Sequence, residues 1–254
     1  MEWTVVFQEA NIVAFLLLFF RFAALFLAVP IFSHQNIPVT VKASMAYFFS
    51  IVFYSSMPEI HFNVNFPNVL VAALSEFIFG LAIGIVLLLA YNAITFAGGQ
   101  ISFMMGFSMA SAIDPQTGVS MPIISQFLSL VALMILLAFD LHHWMIMYVE
   151  TSLKTIPLGG FIMQESLFNY IMHATSRMFL VGFMIAFPII ALAWLADVIF
   201  GMLMKTMPQF NLLVIGFPIK IAVSFGVLIA TLTATMLIVK EEMRSAFNAL
   251  EMFF

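Results

Sequence analysis

Few side chains in this sequence can act as acids, bases, nucleophiles or ligands. Its 254 residues hold 12 Asp and Glu, 8 Lys and Arg, 5 His and no Cys. The missing thiol excludes disulfides, thiolate metal sites and cysteine nucleophiles. The ionisable residues that remain are scattered through apolar surroundings. Arg21 stands near the middle of the first apolar run, where a cation costs roughly 2.5–3.5 kcal/mol at a bilayer centre. Two readings fit it: it lines a path or a subunit interface, or it pairs with a carboxylate such as Glu76, Asp140 or Asp197. Arg177 and Lys220 are further cations set within apolar runs.

Catalytic and metal constellations are weak. Gly106-Phe107-Ser108-Met109 falls one residue short of the Gly-x-Ser-Gly of rhomboid intramembrane proteases, and no His follows His173. Asp140, His142 and His143 have ligand chemistry, but adjacent histidines are expected on different helix faces, with no second ligand cluster. No Gly-rich phosphate loop is present and no cofactor is implied. A net charge of −4 without a basic tract leaves nucleic acid no electrostatic footprint. The expectation is a protein that is not an enzyme.

The elements that position these residues follow from composition. Apolar residues make up 64% and charged residues 8%, against about 45–50% and about 25% in soluble domains. Mean hydropathy is +1.16. This is an integral membrane protein. Glu2 and Glu9 precede the first basic residue, Arg21, so no secretory signal peptide is expected. The apolar runs are continuous rather than alternating, which selects all-α over a β-barrel. Six segments emerge: Ile12–Phe32, Val41–Met57, Val69–Gly98, Pro122–Phe139, Leu167–Ala196 and Met207–Val239. The uncharged stretch from Phe77 to Ile113 is too long for one bilayer crossing. It either breaks near Gly98-Gly99 or leaves the bilayer buried in protein. Pro188, and Gly216 with Pro218, predict a kink or break in each of the last two helices. Lys and Arg divide evenly between the two sides, so the positive-inside rule assigns no orientation.

Asn92, Thr95, Gly99, Ser102 and Gly106 fall on one face of a long helix, either as a packing seam or as a wet, pore-facing stripe. Gly80 and Gly84 add a close-approach site. Met104, Met105, Phe107, Met109 and Met121 flank the turn signal Asp114-Pro115-Gln116-Thr117-Gly118, followed by Pro122. Soft Met side chains can seal a pore, or simply pack in a membrane. The segment from Lys240 to Phe254 is amphipathic, with Met243, Phe247, Leu250 and Phe254 on one face. It is expected at a partner surface or at the membrane interface.

Two long strings carry a resemblance. One runs from Asp114-Pro115-Gln116 through Met121-Pro122-Ile123 to Gln126-Phe127-Leu128. The other runs from Met207-Pro208-Gln209-Phe210-Asn211 to Gly216-Phe217-Pro218-Ile219-Lys220. With Arg21 ahead of Pro30-Ile31-Phe32 and Ile37-Pro38, they resemble the FliR family of flagellar biosynthetic proteins over nearly the whole chain. The resemblance implies a core subunit of the type III export gate in the bacterial inner (cell) membrane, within the flagellar basal body. FliP-like and FliQ-like subunits would complete a pore for unfolded flagellar subunits, with FlhA- and FlhB-like membrane proteins as neighbours. It implies about six long, kinked helices arranged as bent hairpins: residues 1–175 FliP-like, and residues 176–254 a FliQ-like C-terminal hairpin. It also implies that Ala110–Pro122 occludes the pore. Arg21, Glu76, Arg177 and Lys220 are expected as buried charges that serve assembly. The runner-up is a secondary transporter using Arg21, Glu76, Asp140, Arg177 and Asp197 as a relay, although no repeat relates the two halves.

Overall fold

A computed structural model describes residues 9–33, 37–55, 65–107, 122–207 and 212–251. Every regular element among them is helical: α1 (Glu9–Ala28), the short α2 (Pro30–Ser33), α3 (Val39–Tyr54), α4 (Phe66–Met105), α5 (Ile123–Ala138), α6 (Leu141–Thr155), α7 (Glu165–Thr206) and α8 (Phe217–Glu251). A π-helical turn, Leu212–Gly216, leads directly into α8. Helices satisfy their own backbone hydrogen bonds, which an apolar surrounding demands.

Among the described residues four helices are long and apolar enough to cross a membrane: α1, α4, α7 and the run Val214–Glu251. The bent pair α5 and α6 makes a fifth if counted as one span. At 16 residues α3 is shorter than a span requires.

The structure decides between the two readings of the long α4 stretch. No break occurs at Gly98-Gly99, and α4 continues unbroken for 40 residues to Met105. A side chain at Gly98 would collide with the backbone of Ser125, so this glycine is a seat for α5. Pro188 lies inside α7, which continues through it to Thr206. Pro218 sits in the first turn of α8, where a missing N–H is not needed by the helix. The change from π to α winding falls between Gly216 and Phe217.

The described residues form two compact units. The first draws on 1–89, 137–174 and 243–254, the second on 90–136 and 175–242. In the first, α1 lies along α3 through Phe22, which meets Phe49 and Phe53 at ring separations of 5.7 and 5.6 Å. Gly80 and Gly84 bring α4 onto α1, since any side chain there would strike the Arg21 carbonyl and Ala28. The end of α8 packs on α6: Tyr148 donates its hydroxyl proton to the Leu250 carbonyl at 2.8 Å, and Trp144 meets Phe247. Met243, Phe247 and Leu250 are buried there. The apolar face of the C-terminal segment thus docks on its own chain, not on a partner or a lipid surface. Phe254 lies outside the described residues.

In the second unit, Ser125 donates its hydroxyl proton to the Thr95 carbonyl at 2.6 Å, joining α5 to α4. Gly182 admits Phe96 of α4 against α7, and that ring meets Phe179 and Phe183 edge-on.

Candidate functional site

Pro157-Leu158-Gly159-Gly160 forms a turn: Gly160 N–H donates to the Pro157 carbonyl at 2.9 Å, and Gly159 takes φ 77°. This turn closes a buried node in the first unit. Arg21 of α1 grips both carboxylate oxygens of Glu76 of α4 through Nε and Nη2. Both side chains are fully buried. Arg21 Nη1 donates to Ser152 Oγ of α6 at 3.0 Å. The Gly159 N–H donates to Glu76 Oε1 at 2.7 Å. The guanidinium also lies over the Phe79 ring, 4.5 Å from its centroid. A two-point, charge-assisted contact of this kind is strong and geometrically specific. The node's charges are met inside the unit, so it fastens three helices and a turn instead of serving a substrate.

Two ion pairs join α7 to α8 in the second unit. Lys220 Nζ lies 2.8 Å from both Asp197 oxygens. Arg177 donates through Nε and Nη2 to Glu242 at 2.8–3.2 Å. The pairs are nested, spanning 23 and 65 residues of chain, which is the pattern of an antiparallel hairpin. Lys220 meets a carboxylate of its own chain and is buried. Arg177 was expected to be buried, and its side chain is 56% exposed. A cation near a membrane surface can keep its charge in water while its stem covers apolar surface.

At the far end of α4, Gly106 takes φ 88° and ends the helix. A Cβ there would press on the Phe217 ring at 3.0 Å, and Phe107 meets Phe225. Met105 is fully buried and Met104 half-buried, while Pro122 is exposed just before α5. Ile124 N–H donates to Ser102 Oγ at 3.3 Å, so the chain leaves α4 and re-enters at α5 close to the same point. Thr95 and Ser102 are engaged with α5 as a packing seam, but no atom lies within 4 Å of where a Cβ would stand at Gly99. Met109, Asp114, Pro115, Gln116, Gly118 and Met121 lie outside the described residues. Gly216 is buried at the end of the π turn and Pro218 is exposed.

The family of bacterial export proteins, family 1, matches residues 12–246. The chain is 32% identical over 233 residues to the flagellar biosynthetic protein FliR of Bacillus subtilis, covering 89% of each. It is 30% identical to the FliR of Escherichia coli K12, over 83% of this chain and 80% of that one. The FliR of Aquifex aeolicus is 25% identical over 97% of this chain and 95% of that one.

The chain belongs to the FliR family.

As a FliR-family protein it is a membrane component of the flagellar type III export apparatus, and it is not an enzyme. Of the five charged residues considered for a transporter relay, four form local pairs, Arg21 with Glu76, Asp197 with Lys220 and Arg177 with Glu242, and Asp140 lies beside His143. Sequence reasoning missed Ser152, Gly159 and Glu242. A serine in an apolar helix carries no signal, and Gly159 contributes through a backbone N–H that nearly every residue possesses. Glu242 was read only as part of a polar face, yet its nested spacing with Lys220 on one side and Arg177 with Asp197 on the other could have located the hairpin.

Proposed function

We propose that the chain is a core subunit of the export gate and forms, with FliP-like and FliQ-like subunits, the pore through which unfolded flagellar subunits cross the membrane. FlhA- and FlhB-like membrane proteins are its further neighbours. The observation that carries this reading is the length of unsheathed apolar surface on α7. Large apolar side chains stand exposed from Phe168 to Met204. At about 1.5 Å per residue that is roughly 55 Å, nearly twice a hydrocarbon core of about 30 Å. Lipid can cover only part of it, so partner protein covers the rest. The nested ion pairs between α7 and α8 support reading 176–254 as a FliQ-like hairpin, with 1–175 as the FliP-like part. The contact between the end of α4 and the start of α5 supports reading Ala110–Pro122 as the segment that occludes the pore. Arg21, Glu76, Arg177 and Lys220 then serve assembly by fixing the helices that partners grip.

The test is expression alone against expression with FliP-like and FliQ-like partners, followed by extraction in mild detergent and sizing. The expected result is aggregation or low yield alone, and one large hetero-oligomer with partners. A stable, monodisperse monomer that ignores those partners would overturn the reading.

A further inference from the structure

Outside the ion pairs above, ligand-bearing side chains gather at the corner where α6 begins. Asp140 caps α6 in the left-handed region, at φ 55° and ψ 23°. It is the only non-glycine residue with positive φ among the described residues. Its carbonyl accepts the backbone N–H groups of His143 at 2.9 Å and Trp144 at 3.3 Å. That arrangement folds Asp140 back over the first turn, and its Oδ1 lies 3.5 Å from His143 Nδ1.

The two histidines do not diverge as their adjacency in sequence led us to expect. Their ring centroids are 4.1 Å apart. One ligand atom each from Asp140, His142 and His143 lies within 4.8 Å of the others. A separate observation concerns His142: its Nδ1 is buried and has no hydrogen-bond partner among the described residues. A buried, unpaired ring nitrogen is costly, and native structures usually have a reason for one. Asp140 and His143 are 69% and 63% exposed, so the cluster is open on one side.

Two imidazoles and a carboxylate are the donor set of borderline first-row dications. Around a tetrahedral zinc ion with bonds of about 2.0–2.1 Å, neighbouring ligand atoms stand roughly 3.3 Å apart. The observed separations, all within 4.8 Å, are those that coordination would have to shorten. We propose that Asp140, His142 and His143 form a binding site for a divalent transition-metal ion of the zinc type. Three protein ligands on an open corner leave a coordination position for water or for an outside donor. The ion gives the cluster a shared partner and ties the first turn of α6 to the residue that caps it.

The experiment uses the full-length chain in its assembled complex, purified on an affinity tag free of histidine and stripped with a chelator. Cobalt(II) is titrated in while its visible d–d absorption is followed, and zinc(II) is then added as competitor. The expected result is one saturable site per chain, at micromolar concentration, emptied by zinc. Asp140→Asn keeps a residue that tolerates the left-handed conformation but removes the anionic ligand. It and His143→Gln should each weaken binding tenfold or more, while His34→Gln and His61→Gln leave it unchanged. His142→Gln should also weaken it, and complexes formed by all variants are sized first so that only intact ones are titrated. Absence of saturable binding up to millimolar cobalt overturns the proposal. So does binding that survives the His142→Gln/His143→Gln double variant.

Discussion

A guanidinium and a carboxylate sealed from solvent are stable only together. In the Arg21–Glu76 node each partner also draws on a neutral group, Ser152 for the arginine and the Gly159 N–H for the glutamate. Removing one charge strands the other in an apolar interior, at about 3–5 kcal/mol. Arg21→Met and Glu76→Gln should therefore each lower the thermal midpoint of the purified complex and its level in cells. The double variant Arg21→Met/Glu76→Leu should recover much of that loss, because no unpaired charge remains. A double variant as damaged as the sum of the singles would contradict this account. At this scale the sequence was half legible. Arg21 and Glu76 stand out as rare charges, and Glu76 was among the partners considered. Their neutral supports could not be seen, because a serine hydroxyl and a backbone N–H become special only when the fold brings them to the pair.

The helices were easier to see than their limits. Continuous apolar runs placed every long helix, yet a break at Gly98-Gly99 was left open and Pro188 was read as a kink or break. Local propensity favours breaks at such residues; tertiary packing gives Gly98 the role of a contact surface, and α7 runs on through Pro188 to Thr206. The connection from α4 to α5 is different, since α4 does end at Gly106 and the Ser102–Ile124 contact closes the base of the loop. Because both ends are held below it, deleting Ser111–Ser120 should leave the complex assembled. On the plug reading it should make resting cells permeable to ions and small toxic solutes. Conductance and solute sensitivity, measured at matched complex levels, are the readouts. Normal assembly with unchanged permeability would reduce the segment to an ordinary connection.

At the scale of the whole molecule, the apolar surface exceeds what a bilayer can cover. The exposed side chains Phe168, Phe187 and Met204 sample the length of α7. A photo-reactive amino acid at each of the three positions, activated in cells, should report two environments. At least one end of the helix should crosslink to a protein partner in high yield. Labelling by lipid at all three positions would mean that the bilayer deforms around the chain, and would remove the main support for the assembled pore. In the sequence the over-long stretch was Phe77 to Ile113, which includes most of α4, and the excess on α7 went unread. Which side chains turn outward was not legible, because the helices are apolar on nearly every face and periodicity carries little contrast.

The nested ion pairs of α7 and α8 have a mechanical meaning. Salt links at both ends of a hairpin act like two bolts through one beam. Sliding α7 past α8 by a helical turn, about 5.4 Å, would shear Lys220 from Asp197 and Arg177 from Glu242 in the same stroke. A hairpin bolted in this way transmits tilt but resists slip. On the proposed pore reading, force from a passing polypeptide would move the two helices together rather than one past the other.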